Sequence, residues 1–99
     1  MADNFRIARR VSGDVLRLKL SGDFDGTAAM ELLDIIANNS GSAQRIHIET
    51  DGLRELLPFG LRVFENKLSG FPAWVQKLVF TGTHSQEFFP ADTTGIDTN

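Results

Sequence analysis

The chain has no cysteine and no tyrosine, and only one tryptophan and three prolines in 99 residues. Without cysteine there can be no disulfide, no thiol nucleophile and no thiolate metal site, and a reducing compartment fits. No apolar run approaches the roughly 18 residues that span a bilayer, and Met1-Ala2-Asp3-Asn4-Phe5-Arg6 carries no apolar stretch of the secretory kind. A cytoplasmic protein without direct membrane insertion is the expectation. A basic surplus is missing as well: ten Lys and Arg stand against thirteen Asp and Glu, a formal charge of -3. No excess of cations exists to neutralise a phosphate backbone, so nucleic-acid binding is not expected.

What is present is an ordinary globular mixture, 41% hydrophobic and 23% charged, far from the composition of disordered chains. At roughly 100 to 200 residues per domain, the length allows one core. A single domain is expected over residues 1–90. Ala91 to Asn99, with two Asp, three Thr, one Gly and one Asn around Ile96, is expected to be a disordered tail.

Periodicity orders the elements. Phe5 to Val11 can extend as an edge strand with Phe5, Ile7 and Arg9 on one face, and Ser12-Gly13-Asp14 supplies a turn. Leu16, Leu18 and Leu20 alternate with Arg17 and Lys19, the period of two of a strand with one buried face. Ser21 to Gly26 breaks that pattern and reads as a turn. Thr27 is then placed to cap a helix whose Ala29, Leu32, Leu33, Ile36 and Ala37 fall at helical spacing, and Asn38 to Ser42 stops it. Arg45 to Thr50 is again strand-like, closed by Asp51-Gly52. Strand, helix and strand form a crossover unit, so the two strands are expected to be parallel. A second helix is predicted from Pro58, whose missing N–H costs nothing at a helix start, to Leu68 before Ser69-Gly70. Arg62, Glu65, Asn66 and Lys67 form its wet side. Phe71 to Trp74 reads as a connecting turn, Lys77 to Thr81 as a third parallel strand, and Ser85 to Phe89 as one helical turn. The fold class is therefore α/β, a small mixed sheet of about four strands with an N-terminal hairpin, parallel crossovers and helices packed on it.

Candidate chemistry is sparse. His47 and His84 do not supply the three or four ligands of a zinc site, and Ser85 directly after His84 cannot face it as a nucleophile faces its base. Ser21 to Thr27 precedes a helix start as a phosphate loop does, but Asp23 and Asp25 would repel an anion. As a pair they have the spacing to share acid–base work or hold a hard cation; turn and first-turn placement explains them better. Trp74 reads as a plug at the edge of the core. No cofactor and no catalytic residue is expected.

Together the strand at Val15 to Leu20, the segment Leu20-Ser21-Gly22-Asp23-Phe24-Asp25, the long helix, the strand at Arg45 to Thr50 and the helix opening near Gly60 resemble the STAS domain, the fold of bacterial anti-sigma-factor antagonists. The likeness runs from about Phe5 to Phe89. Its Leu-Ser-Gly-Glu-Leu-Asp-like segment is matched at Leu20 to Asp25. Its Asp-Ser-Ser/Thr-Gly segment falls on Leu57-Pro58-Phe59-Gly60 and is matched only at the glycine. In that family a kinase that is also an anti-sigma factor phosphorylates the Ser or Thr before the glycine, and the added charge breaks the partner interface. Here that position is Phe59, which has no hydroxyl, so the switch does not carry over.

The resemblance implies a non-catalytic module that binds a protein, either a regulator of the anti-sigma-factor and serine-kinase type or a second copy of itself. The docking set it implies is Asp23, Asp25, Leu56, Leu57, Pro58, Phe59 and Arg62. The residues alone point the same way, because four consecutive apolar side chains at Leu56 to Phe59 cannot all turn inward from a helix start; exposed together they would form a contact patch. A second reading is small-molecule or lipid handling, for instance as an accessory subunit of a transporter, with Phe24, Phe59, Phe64 and Trp74 lining an apolar pocket.

Overall fold

The alternation of Leu16, Leu18 and Leu20 with charged neighbours becomes the centre of the sheet. A computed structural model describes residues 5–88; the tail expected at Ala91 to Asn99 lies outside the described residues. The elements are β1 (Arg6–Ser12), β2 (Val15–Phe24), α1 (Gly26–Asn39), β3 (Arg45–Leu56), α2 (Pro58–Leu68), α3 (Pro72–Val75), β4 (Leu78–Thr81) and α4 (Ser85–Phe88). The sheet order is β1-β2-β3-β4. β1 and β2 form an antiparallel hairpin, and β2–β3 and β3–β4 are parallel. This is the mixed four-stranded architecture that the periodicity predicts.

All helices lie on one side. Leu16, Leu18, Leu20, Ile46 and Ile48 point into the same cluster as Ala28, Ala29, Leu32, Leu33 and Ile36 of α1 and Phe64 and Leu68 of α2. Phe24, Phe64 and Phe88 close the core with edge-to-face contacts at 4.9–6.0 Å between ring centres, the geometry favoured by the aromatic quadrupole. Their complete burial places each among the larger contributors to stability, about 3–5 kcal/mol lost on truncation to Ala.

Three local expectations are corrected by the tertiary structure. The run Ser21 to Asp25 is not a turn: β2 continues to Phe24, so Asp23 is a strand residue. Likewise Asp51-Gly52 does not end β3, which runs to Leu56. The two strands stay paired through irregular steps between Lys19 and Ser21 and between Gly22 and Asp23. Opposite each step β3 carries an extra residue, as in a bulge. Gly52 suits the first of them because a Cβ there would stand 2.5 Å from the Leu20 carbonyl oxygen. Thirdly, the cap of α1 is Asp25 and not Thr27: Asp25 Oδ1 accepts a 2.9 Å hydrogen bond from the Ala28 N–H, satisfying one of the free donors of the first turn.

Smaller differences follow the same logic. The segment after α2 is a single helical turn, α3, with Trp74 stacked on Phe71 at 4.0 Å. Lys77 lies just before β4: its carbonyl accepts the Ile46 N–H at 2.8 Å and its ammonium donates to the carbonyls of Ser40 and Ala43, tying the starts of β3 and β4 together. Thr50, the buried polar residue among the described residues, ties β3 to the segment after β4: its hydroxyl donates to the Thr81 carbonyl at 2.8 Å and accepts from the His84 N–H at 3.1 Å. Both polar roles are filled, so its burial carries no desolvation penalty of an orphaned group.

Candidate docking surface at the start of the second helix

β3 delivers the chain to α2 without a polar cap. Leu57 holds the N-cap position in extended conformation and makes no side-chain capping bond; its N–H instead donates to the Phe24 carbonyl at 3.0 Å. That bond ties the start of α2 to the end of β2. Pro58 follows at the first helical position, where no N–H is required.

Gly60 then lets the two helix starts meet. A Cβ on Gly60 would stand 2.7 Å from the carbonyl carbon and oxygen of Asp25 and 2.8 Å from the Phe24 carbonyl oxygen. No larger residue fits against that backbone. The contact explains why a glycine belongs here irrespective of any chemistry at the residue before it.

With Gly60 turned inward, Phe59 is turned outward. Its side chain is 69% exposed, and its ring rests over Gly26 at the start of α1, where a Cβ would come within 2.8 Å of the ring. Leu57 and Met30 are exposed beside it. A shallow depression of about 440 Å³ runs between the helices, lined by Asp25, Gly26, Thr27, Met30, Phe59 and Val63.

The candidate residues divide into two groups. Leu57, Pro58 and Phe59 are exposed and Leu56 is half-buried; Asp25 borders the depression through the α1 cap. Arg62 is exposed and has no ion pair among the described residues. Asp23 is already engaged, its carboxylate taking both arms of the Arg54 guanidinium at 3.0 and 3.2 Å, an ion pair that raises the Arg54 pKa above its ordinary value through the hydrogen bond and the neighbouring charge. Arg54 is 31 positions away in sequence and has no local signal. Met30 does have one: it is an apolar residue of α1 outside the stripe formed by Ala29, Leu32, Leu33 and Ile36.

The four aromatics considered for an apolar pocket do not converge. Phe24 and Phe64 bury their rings against one another, Phe59 lies on the surface and Trp74 stacks on Phe71. Among the described residues no group of three or more His, Asp or Glu is arranged to hold a metal ion.

Comparison with known proteins rests on shape, since no family model and no curated protein matches the chain by sequence. The unphosphorylated form of the anti-sigma factor antagonist SpoIIAA superposes with a TM-score of 0.62 over 96% of this chain and 87% of its own, at 13% identity. The phosphorylated form of the Bacillus cell fate determinant SpoIIAA gives 0.59 over 96% and 91%, at 14% identity. The chain has a STAS-like fold. A likeness is also found in the crystal structure of Mglu, with a TM-score of 0.64 and 16% identity over 77% of this chain; the chain spans 19% of Mglu's length. In this STAS-like domain no described helix is long and apolar enough to cross a membrane.

Proposed function

We propose that this STAS-like domain is a non-catalytic protein-interaction module of the regulatory type, docking a partner protein through the α1–α2 surface centred on Phe59 and doing so without a phosphorylation switch at that position. The observation that carries the reading is the outward Phe59 ring seated over Gly26 and continuous with Leu57 and Met30. A contiguous apolar patch beside a shallow groove is the kind of surface that partners cover, and a rigid exposed aromatic is the usual anchor of such a contact. The likeness to SpoIIAA, an anti-sigma factor antagonist, supports a regulator of the anti-sigma-factor or serine-kinase type as the partner. A phenylalanine before Gly60 provides no oxygen for a phosphate, so association here is not controlled by phosphorylation at that position.

The test is capture of partners from the source cell by the tagged protein, with mass-spectrometric identification and a binding assay on the purified pair. Phe59→Asp and Met30→Asp are each expected to weaken that association by about 30-fold or more, the effect of losing a hot spot worth about 2 kcal/mol. Phe71→Asp, which alters an exposed aromatic beyond the C-terminal end of α2, should leave it intact. Equal binding by all three variants would remove the α1–α2 surface from the function. Light scattering of the same variants separates a second copy of this chain from a different partner.

A further inference from the structure

The two faces of the sheet differ in charge as much as in burial. On the open face the register sets Arg6 beside Ser21, Ala8 beside Lys19 and Glu49, Arg10 beside Arg17 and His47, and Val15 beside Arg45. Half of the chain's ten Lys and Arg therefore stand on this one face, as Arg6, Arg10, Arg17, Lys19 and Arg45, and all five are exposed. Over the regular part of the sheet Glu49 is the carboxylate that shares the face. The carboxylates at or beyond the irregular steps include Asp51, bonded by Thr83, Asp23, paired with Arg54, and Glu55. Among the described residues no ion pair involves any of the five cations. Arg10 and Arg17 stand directly opposite each other, a like-charge arrangement that costs stability in an antiparallel pair. An acidic protein that concentrates unpaired cations on one face has a surface suited to anions from outside the chain.

We propose that the open sheet face docks the domain on an anionic phospholipid surface, as a peripheral contact without insertion. The cations are spread over β1, β2 and β3 and are not gathered around one site; three of them, Arg10, Arg17 and Lys19, border a half-open depression of about 340 Å³ with Ala8, Arg9 and Glu49. A flat array of this kind matches a layer of charged headgroups, which attracts Lys and Arg without needing a shaped pocket. A protein partner would seek an apolar or aromatic anchor at the centre of its interface. The large exposed hydrophobics, Val11, Met30, Leu57, Phe59 and Phe71, are elsewhere: Val11 pairs with Leu16 on the covered side of the sheet. Single-stranded nucleic acid would require stacking aromatics, and duplex grooves are read by a helix or ribbon that the face does not present.

The net charge of -3 does not oppose this contact. The smallest dimension of the molecule is 23 Å, whereas the screening length at physiological salt is about 8 Å, so acids on the helical side are screened from a surface touching the sheet. Docked this way, the domain keeps the Phe59 surface free, because Phe59 belongs to the helical layer. The lipid contact is therefore independent of the protein contact proposed above.

Flotation of the full-length chain with vesicles of phosphatidylglycerol or phosphatidylcholine tests the assignment. Binding is expected on the anionic vesicles alone and should be lost at about 1 M salt, where the screening length falls to about 3 Å. Each Lys or Arg near such a surface contributes about a fivefold gain in partitioning, so Arg10→Gln/Arg17→Gln and, separately, Lys19→Gln/Arg45→Gln should each weaken binding by roughly 25-fold. Arg62→Gln/Lys67→Gln on α2 and Phe59→Asp should bind as the parent does. The proposal is overturned by equal binding to the two lipids, by no binding to phosphatidylglycerol, or by correctly folded sheet variants that bind like the parent. Tighter binding to polyglutamate or duplex DNA than to the vesicles would also overturn it, reassigning the face to a macromolecular partner.

Discussion

The two long helices begin side by side and are built in opposite ways. α1 starts on a carboxylate, Asp25, which accepts the Ala28 N–H and so neutralises part of a polar helix end. α2 starts on Leu57 with no side-chain cap, and its position is held by the Leu57 N–H bond to the Phe24 carbonyl and by the fit of Gly60 against the Asp25 backbone. One start is stabilised within its own first turn and the other by its neighbour. The difference explains why apolar side chains can sit exposed at α2: capping there does not depend on the side chains at Leu57 to Phe59, which leaves them free to form a surface.

Gly60→Ala breaks this comparison most severely. The added methyl meets backbone at 2.7 Å, which cannot swing aside, and the cost should reach about 3 kcal/mol, the upper part of the overpacking range. For a domain of this size that is a fall in melting temperature of roughly 12–24 °C; a calorimetric shift of a few degrees would show that the helix starts can separate. Asp25→Ala should cost about 1 kcal/mol through loss of the cap, and a urea midpoint equal to the parent's would mean that the Ala28 N–H finds another acceptor. Gly26→Ala sharpens the contrast with Gly60. Its methyl would meet only the exposed ring of Phe59, which can rotate away, so stability should change by less than about 0.5 kcal/mol. The informative readout is the Phe59 ring, whose NMR shifts should move.

The smallest effect is one of pH, where β3 meets the segment after β4. Asp51 accepts 2.7 Å hydrogen bonds from the Thr83 hydroxyl and N–H, and these lower its pKa below the ordinary 3.8. Because the folded value is depressed, the stability this contributes is present above the unfolded pKa and is lost as pH falls through the lower folded one. Thr83→Ala, which removes the hydroxyl bond and leaves the N–H, should return the Asp51 titration measured by NMR part of the way towards 3.8. An unchanged titration would assign the shift to the backbone N–H and the neighbouring charges.

Much of the sheet is readable from the chain because a strand with one wet face must alternate, and Leu16, Leu18, Leu20, Ile46 and Ile48 do so. The second helix is readable for a similar reason, with Pro58 and Ser69-Gly70 marking its limits. The ends of β2 and β3 are not. Glycine and aspartate signal turns locally, yet Gly22, Asp23, Asp51 and Gly52 lie in strands, because two successive bulges on β3 allow pairing with β2 to continue past them. The candidate surface divides along the same line: the apolar run Leu56 to Phe59 is visible as a run that a helix start cannot bury entirely, whereas the contributions of Met30 and Gly26 come from a different helix.

The sequence by itself determines the α/β class, the order of the elements, the buried stripe of each and the missing hydroxyl at Phe59, since all of these depend on neighbours within a few residues. Only the tertiary structure decides that Asp23 is spent on Arg54, that Phe59 faces outward over Gly26, and that five cations from three strands share one open face. Those facts depend on register and on backbone contacts between segments some thirty residues apart, such as Gly60 against Asp25, where the space available for one Cβ sets how two helices meet.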